Sequence, residues 1–150
     1  MLKKIFALTA AIVSLLSSFT IYANENLQTE LFQLPITDEN AIIERCISTN
    51  KNGIEFFAAK DTPVCASASG TVSKIVEDKC GYGTYIILDH ENGYQTLYAH
   101  NEKILVSEGD QVEQGDIIAE VGRTGNATDY SLQFEIRLNN VAIDIANIQF

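Results

Sequence analysis

The run SLQFEIRL, residues 131–138, alternates strictly: Leu132, Phe134 and Ile136 fall on one side, Ser131, Gln133 and Glu135 on the other. Side chains along a strand point to opposite faces in turn, so the pattern predicts a half-buried strand with one apolar face against a core. Its polar face either lines a site or meets water. Other short runs rich in β-branched and aromatic residues read the same way: AIIERCIS from Ala41, GIEFFAA from Gly53, TPVCASA from Thr62, GTVSKIVED from Gly70, GTYIILDH from Gly83, YQTLYAH from Tyr94, KILVS from Lys103 and DIIAEVG from Asp116. Turn-forming residues separate them at Asp61, Gly70, CGYG, ENG, EGDQVEQGD and GRTGNATD. No stretch sustains a 3.6-residue period and none carries heptads, so the pattern predicts an all-β domain with little helix. Asn92-Gly93 predicts a tight hairpin turn with positive φ. Gly-Asp recurs at Gly109-Asp110 and Gly115-Asp116, where glycine lets the backbone turn and the short carboxylate bonds nearby amides.

The first 23 residues differ from the rest. Lys3 and Lys4 precede an apolar run from Ile5 to Leu16, and small and polar residues follow as far as Ala23. That is the layout of a secretory signal peptide cut after Ala23, with an apolar run too short for a span of about 20 residues. The predicted organisation is a signal peptide at 1–23, a short extension at 24–40 containing Pro35, and one globular domain at 41–150. The expected protein is exported, with no stable membrane span once the signal is removed. No Cys lies near the cut, so a lipid-anchored form is not expected.

Charge narrows the partners. The chain carries 10 basic and 20 acidic residues. Removing the signal takes away two lysines and no acids, leaving 8 against 20, a net charge of −12. Such a surface repels nucleic acid and anionic membranes. Export to an oxidising space allows one disulfide among Cys46, Cys65 and Cys80, with one thiol left over. Cys65 alternates within an apolar strand as a core residue does, so Cys46 with Cys80 is the favoured pair, although connectivity is not readable from one sequence. There is no CxxC, and the spacing matches no zinc ribbon. His90, at the entrance of the ENG turn, reads as a solvent-facing turn histidine. Lys74 and Lys103 are ordinary strand or turn lysines, without the setting of a carrier attachment site.

Three segments, NGIEFFAAKDTPVCASASGTVSKI, GYGTYIILDHENGYQTLYAHNEKILVSEGDQVEQGDIIAEVGRTGN and SLQFEIRLNNVAIDIANI, together resemble the LytM/lysostaphin-type zinc metallopeptidase family over about 100 residues, in the same order and with similar spacing. The resemblance implies a single antiparallel β-sheet or barrel-sandwich-hybrid-like LytM domain, the duplicated hybrid motif. Active members of that family cut peptide cross-links in bacterial peptidoglycan. Their signature is an HxGxD motif, a YAH segment and a terminal HxH motif. In it, the His and Asp of HxGxD and the second His of HxH bind zinc, while the YAH His and the first His of HxH assist the chemistry.

Carried over residue by residue, the HxGxD segment resembles KNGIE, placing Lys51 and Glu55 at the first two ligand positions. The HxH segment resembles SLQ, placing Ser131 at a catalytic position and Gln133 at the last ligand. His100, in LYAH, is retained. Four of the five positions depart from the signature. A catalytic zinc takes three protein ligands from imidazole, thiolate or carboxylate. A lysine ammonium has no lone pair to give, and Gln133 offers only a neutral amide oxygen. The expectation is therefore a pseudo-peptidase with no zinc cofactor, in which Lys51 pairs with Glu55 in place of the metal's charge.

Similar degenerate domains occur in murein hydrolase activators, periplasmic proteins that relieve the autoinhibition of cell-wall amidases. The resemblance thus implies a periplasmic protein that binds and regulates such a hydrolase. The groove that held substrate would become the partner surface, lined by Lys51, Glu55, Tyr82, Tyr98, His100, Tyr130, Ser131 and Gln133. A peptidoglycan- or envelope-binding module, and an active zinc endopeptidase with non-standard ligands, are the alternatives.

Overall fold

The strand runs read from the sequence pair as follows. In order along the chain, the strands are β1 Ile42–Ser48, β2 Lys51–Phe57, β3 Pro63–Cys65, β4 Gly70–Val76, β5 Tyr85–Asp89, β6 Tyr94–Ala99, β7 Asn101–Ile104, β8 Gln111–Val112, β9 Ile117–Val121, β10 Ser131–Leu138 and β11 Val141–Ala142. The structure, a computed structural model, describes residues 32–48 and 51–145. The stretch read as a signal peptide lies outside them. The strands belong to the unit Gln33–Asn147. Among the described residues no helix is long and apolar enough to cross a membrane.

Among the described residues all pairings are antiparallel, and they make two sheets rather than one. The larger runs β1-β2-β10-β6-β5-β4-β8, with β11 added to β10; the smaller is β3-β9-β7. Strands β8 and β11 span two residues each, too few to show an alternation. The ENG segment forms a 3-10 turn, Glu91–Gly93, wider than a two-residue hairpin; Gly93 holds φ at +78° and the His90 N–H bonds the Tyr94 carbonyl at 2.9 Å. The two Gly-Asp turns are copies of one device. Asp110 Oδ2 accepts the Ser107 N–H and Asp116 Oδ2 the Glu113 N–H, both at 2.8 Å.

β10 is central, paired with β2 on one side and β6 on the other. Phe134 lies opposite Ile54 and Tyr98, and cross-strand partners share a face. Leu132, Phe134 and Ile136 are accordingly buried, with Phe56 edge-on to Phe134 at 6.4 Å between centroids and Tyr98 tilted against it at 5.3 Å. The polar face of β10 is buried too: Ser131, Gln133 and Glu135 are 0%, 1% and 1% exposed. The strand is therefore buried on both faces, not half-buried, because a loop corner packs over its polar side.

Two histidine-and-tyrosine expectations need correction. Tyr98 does not line the groove; it is fully buried and shares the face of Phe134, opposite to that of Gln133. His90 is half-buried, not solvent-facing, because both ring nitrogens are engaged. Nδ1 lies 2.9 Å from the Ser69 carbonyl and Nε2 2.7 Å from Thr96 Oγ1. The Thr96 and Tyr98 hydroxyls are 2.9 Å apart, and the Ser67 N–H donates to the Tyr98 hydroxyl at 2.8 Å. A carbonyl only accepts, so Nδ1 carries the proton and Nε2 accepts from Thr96. Every proton then runs one way, from Ser67 through Tyr98 and Thr96 to His90. Protonating Nε2 reverses the chain and leaves the Tyr98 hydroxyl proton facing two donors inside the core.

Burial lowers the His90 pKa from its ordinary value, against the opposing Ser69 carbonyl and Asp89 carboxylate. The folded pKa thus lies below that of the unfolded chain, roughly 6.5. Stability from this group is complete above that value and is lost as pH falls through the folded pKa. The urea midpoint should therefore drop between about pH 7.5 and pH 5, and His90→Phe should flatten that drop while lowering stability at both ends. An equally steep fall in the variant would assign the pH dependence to other groups. Independently, Phe134→Ala should cost about 3–5 kcal/mol in urea unfolding, since it empties the contact between Phe56 and Tyr98.

Candidate functional site

The candidate site is built on the face of β2, β10 and β6 that lies away from Phe134. Gln133 stands opposite Glu55 on one side and Ala99 on the other, so the β2 and β10 positions of the motif meet by register alone. The Ser131 hydroxyl donates to Glu55 Oε1 at 2.7 Å, and the Ser131 N–H bonds the Gly122 carbonyl at 3.1 Å. Gln133 Nε2 is buried without a hydrogen-bond partner. It lies over Gly53, where a Cβ would overlap this amide and come within 2.5 Å of the Phe134 carbonyl. Glycine at this position is what lets β2 and the Gln133 side chain approach. Lys51 opens β2 opposite Ser48. Its side chain, and with it the expected pairing to Glu55, lies outside the described residues.

A loop corner packs beside the floor, against Glu135. The Tyr82 hydroxyl donates to Glu135 Oε1, and Arg137 donates to Glu135 Oε2 from Nε at 3.0 Å and Nη2 at 2.8 Å. Burial first, and the Glu135 carboxylate second, push the Tyr82 phenol up to about 12, with Arg137 opposing. His100 is 3% exposed and has φ of 68°. Its N–H bonds the Tyr82 carbonyl at 2.9 Å, and its Nδ1 lies 2.8 Å from the Thr124 carbonyl, which fixes the proton on Nδ1. Tyr130 is half-buried in the loop before β10, its N–H bonded to Asp129 Oδ1 at 2.8 Å.

Of the eight residues expected in the groove, the structure brings Glu55, Ser131 and Gln133 together and joins Tyr82 to His100. Tyr130 flanks them, Tyr98 belongs to the core, and the Lys51 side chain is not described. Glu135 and Arg137 were not among the expected site residues, although they continue the two-residue spacing from Ser131 and Gln133 along the same face. The expected Cys46–Cys80 bridge is not formed. Cys80 is an exposed free thiol, and Cys65 a free thiol whose pKa burial raises.

The donors on the floor do not match a catalytic zinc. They are one carboxylate, one hydroxyl and one amide, against the three imidazole, thiolate or carboxylate ligands such a site takes. Among the described residues, no three His, Cys, Asp or Glu side chains are grouped to hold a metal ion. A cleft of about 1020 Å³ opens elsewhere, beside His90, with Asp89, Glu91 and Glu113 in its lining. It holds none of the residues of the β2–β10 floor.

Residues 49–145 match Peptidase family M23. The chain is similar to the Lipoprotein NlpD/LppB homolog of Pseudomonas aeruginosa, 42% identical over 97 residues, which are 65% of this chain and 32% of that one. It is similar to DD-carboxypeptidase/endopeptidase Mpg of Neisseria meningitidis, 38% identical over 96 residues, 64% of this chain and 22% of that one. The chain thus spans about a third or less of these two relatives. A crystal structure of a zinc-containing peptidase from Vibrio cholerae aligns with a TM-score of 0.67 at 29% identity, over 76% of this chain and 39% of that chain. The LytM/lysostaphin-type fold, the matched span and the register that brings the KNGIE and SLQ positions together agree, and the chain belongs to peptidase family M23.

Proposed function

We propose that this chain is a catalytically inactive family member that binds and regulates a peptidoglycan hydrolase, by activation, in the periplasm. The observation that carries the reading is the enclosed pair Ser131 and Gln133 on the floor, beside the half-buried Glu55. Ser131 and Gln133, at the positions of the HxH motif, are fully enclosed, and Ser131 spends its hydroxyl on Glu55. Without a Lewis acid, water keeps its high pKa and the scissile carbonyl stays unpolarised. His100 as a lone general base supplies about 10²–10⁴-fold, far short of peptide hydrolysis. The similarity to a lipoprotein of the NlpD/LppB kind and the signal-like residues 1–23 support an envelope protein acting on or beside the cell wall. The similarity to the endopeptidase Mpg supports a groove shaped for peptidoglycan peptides or a protein segment that mimics them.

The test is dye release from labelled peptidoglycan sacculi by the purified mature protein, with zinc present, alone and mixed with a periplasmic amidase of its own host. The expected result is silence alone and faster release with the amidase. Release by the protein alone, abolished by a chelator, would establish an active endopeptidase and overturn the proposal. No effect in either mixture, with the protein co-sedimenting with sacculi, would replace regulation by wall binding.

A further inference from the structure

Glu135 is a carboxylate that the proposed function does not use, and it is 1% exposed. A buried carboxylate is costly unless its oxygens are engaged. Here Oε1 takes the Tyr82 hydroxyl and Oε2 takes two Arg137 donors. The Arg137 guanidinium also lies 6.0 Å from the Tyr82 ring centroid, at the edge of cation–π reach. β10 and the loop after β4 are thereby closed on each other by three side chains.

What this closure holds is the border of the site. The Tyr82 carbonyl takes the His100 N–H at 2.9 Å, and the Gly81 carbonyl takes the Asn126 N–H at 3.0 Å. The Thr84 N–H donates to Thr124 Oγ1 at 3.0 Å, and that hydroxyl donates to the Asn101 carbonyl at 3.0 Å. The two loops are so close that a Cβ on Gly83 would stand 2.5 Å from the Gly125 nitrogen. Residues 81–84, His100 and 124–126 therefore form one hydrogen-bonded corner, and Tyr82 is the side chain that ties it to β10.

We infer that Glu135 is a positioning residue: acting through Tyr82 and Arg137, it sets the rim of the groove, so that the protein's own buried ion pair shapes the binding surface. The inference rests on the proposed groove only for its effect on a partner; the clamp itself is read without one.

Amide exchange followed residue by residue in the mature protein tests it. Tyr82→Phe removes only the hydroxyl, and Glu135→Gln removes the charge. The His100 and Asn126 amides should exchange about tenfold faster or more in both, with Phe134 and Leu97 unchanged, because a hydrogen bond to a charged group has been lost at the corner alone. If Glu135→Gln does not fold, Tyr82→Phe decides. Unchanged exchange at His100 and Asn126 in Tyr82→Phe overturns the clamp, as does equal acceleration across all strands, which would mean the pair merely holds the fold. Stimulation of the amidase should weaken in Tyr82→Phe. Absence of stimulation by the wild-type chain would defeat the regulatory reading, while the exchange result would still decide the clamp.

Discussion

The rest of the structure depends on β10 having no wet face. It is hydrogen-bonded on both edges, by β2 and β6, and covered on both sides. Its apolar face accounts for itself, since Leu132, Phe134 and Ile136 bury area against aromatic neighbours. Its polar face must be satisfied inside the protein, because a buried polar group without a partner costs more than a hydrogen bond returns. That requirement organises the site: Ser131 answers Glu55, while Glu135 answers both Tyr82 and Arg137.

The floor and the rim meet this requirement unequally. At the rim the carboxylate of Glu135 has both oxygens occupied, and the loop that supplies Tyr82 is fastened in turn to His100 and Thr124. On the floor the Gln133 amide donor is left over, pressed against the bare backbone of Gly53. In the signature that this segment resembles, a metal ligand would stand at Gln133. A neutral amide there places no charge in the enclosed site, so its burial costs less than that of a lysine or carboxylate, although the unpaired donor still costs about 1–3 kcal/mol.

A second polar chain on the opposite face shows the same rule met differently. Tyr98, Thr96 and His90 carry one hydrogen-bonded line from the core to the edge of a cleft, and burial keeps Tyr98 protonated and His90 inclined to the neutral form. Two residues that the sequence offered as groove and solvent residues are there for the interior.

Nine of the eleven strands among the described residues were legible in the sequence, because alternation and β-branched enrichment are local properties of runs long enough to show them. β8 and β11 were not, since two residues cannot display a period. The resemblance in KNGIE and SLQ singled out Glu55, Ser131 and Gln133, and strand register places the three together. The bond between Tyr82 and Glu135 spans 53 residues, and nothing near either one announces the other. Nor could the sequence show that Tyr98 faces the core. The sequence by itself determined the β class, the family and the chemical types at the KNGIE and SLQ positions, because these follow from residue identity and spacing. Only the tertiary structure decided which polar residues are enclosed and whom they answer, because burial and hydrogen-bond partners are properties of packed neighbours distant in the chain.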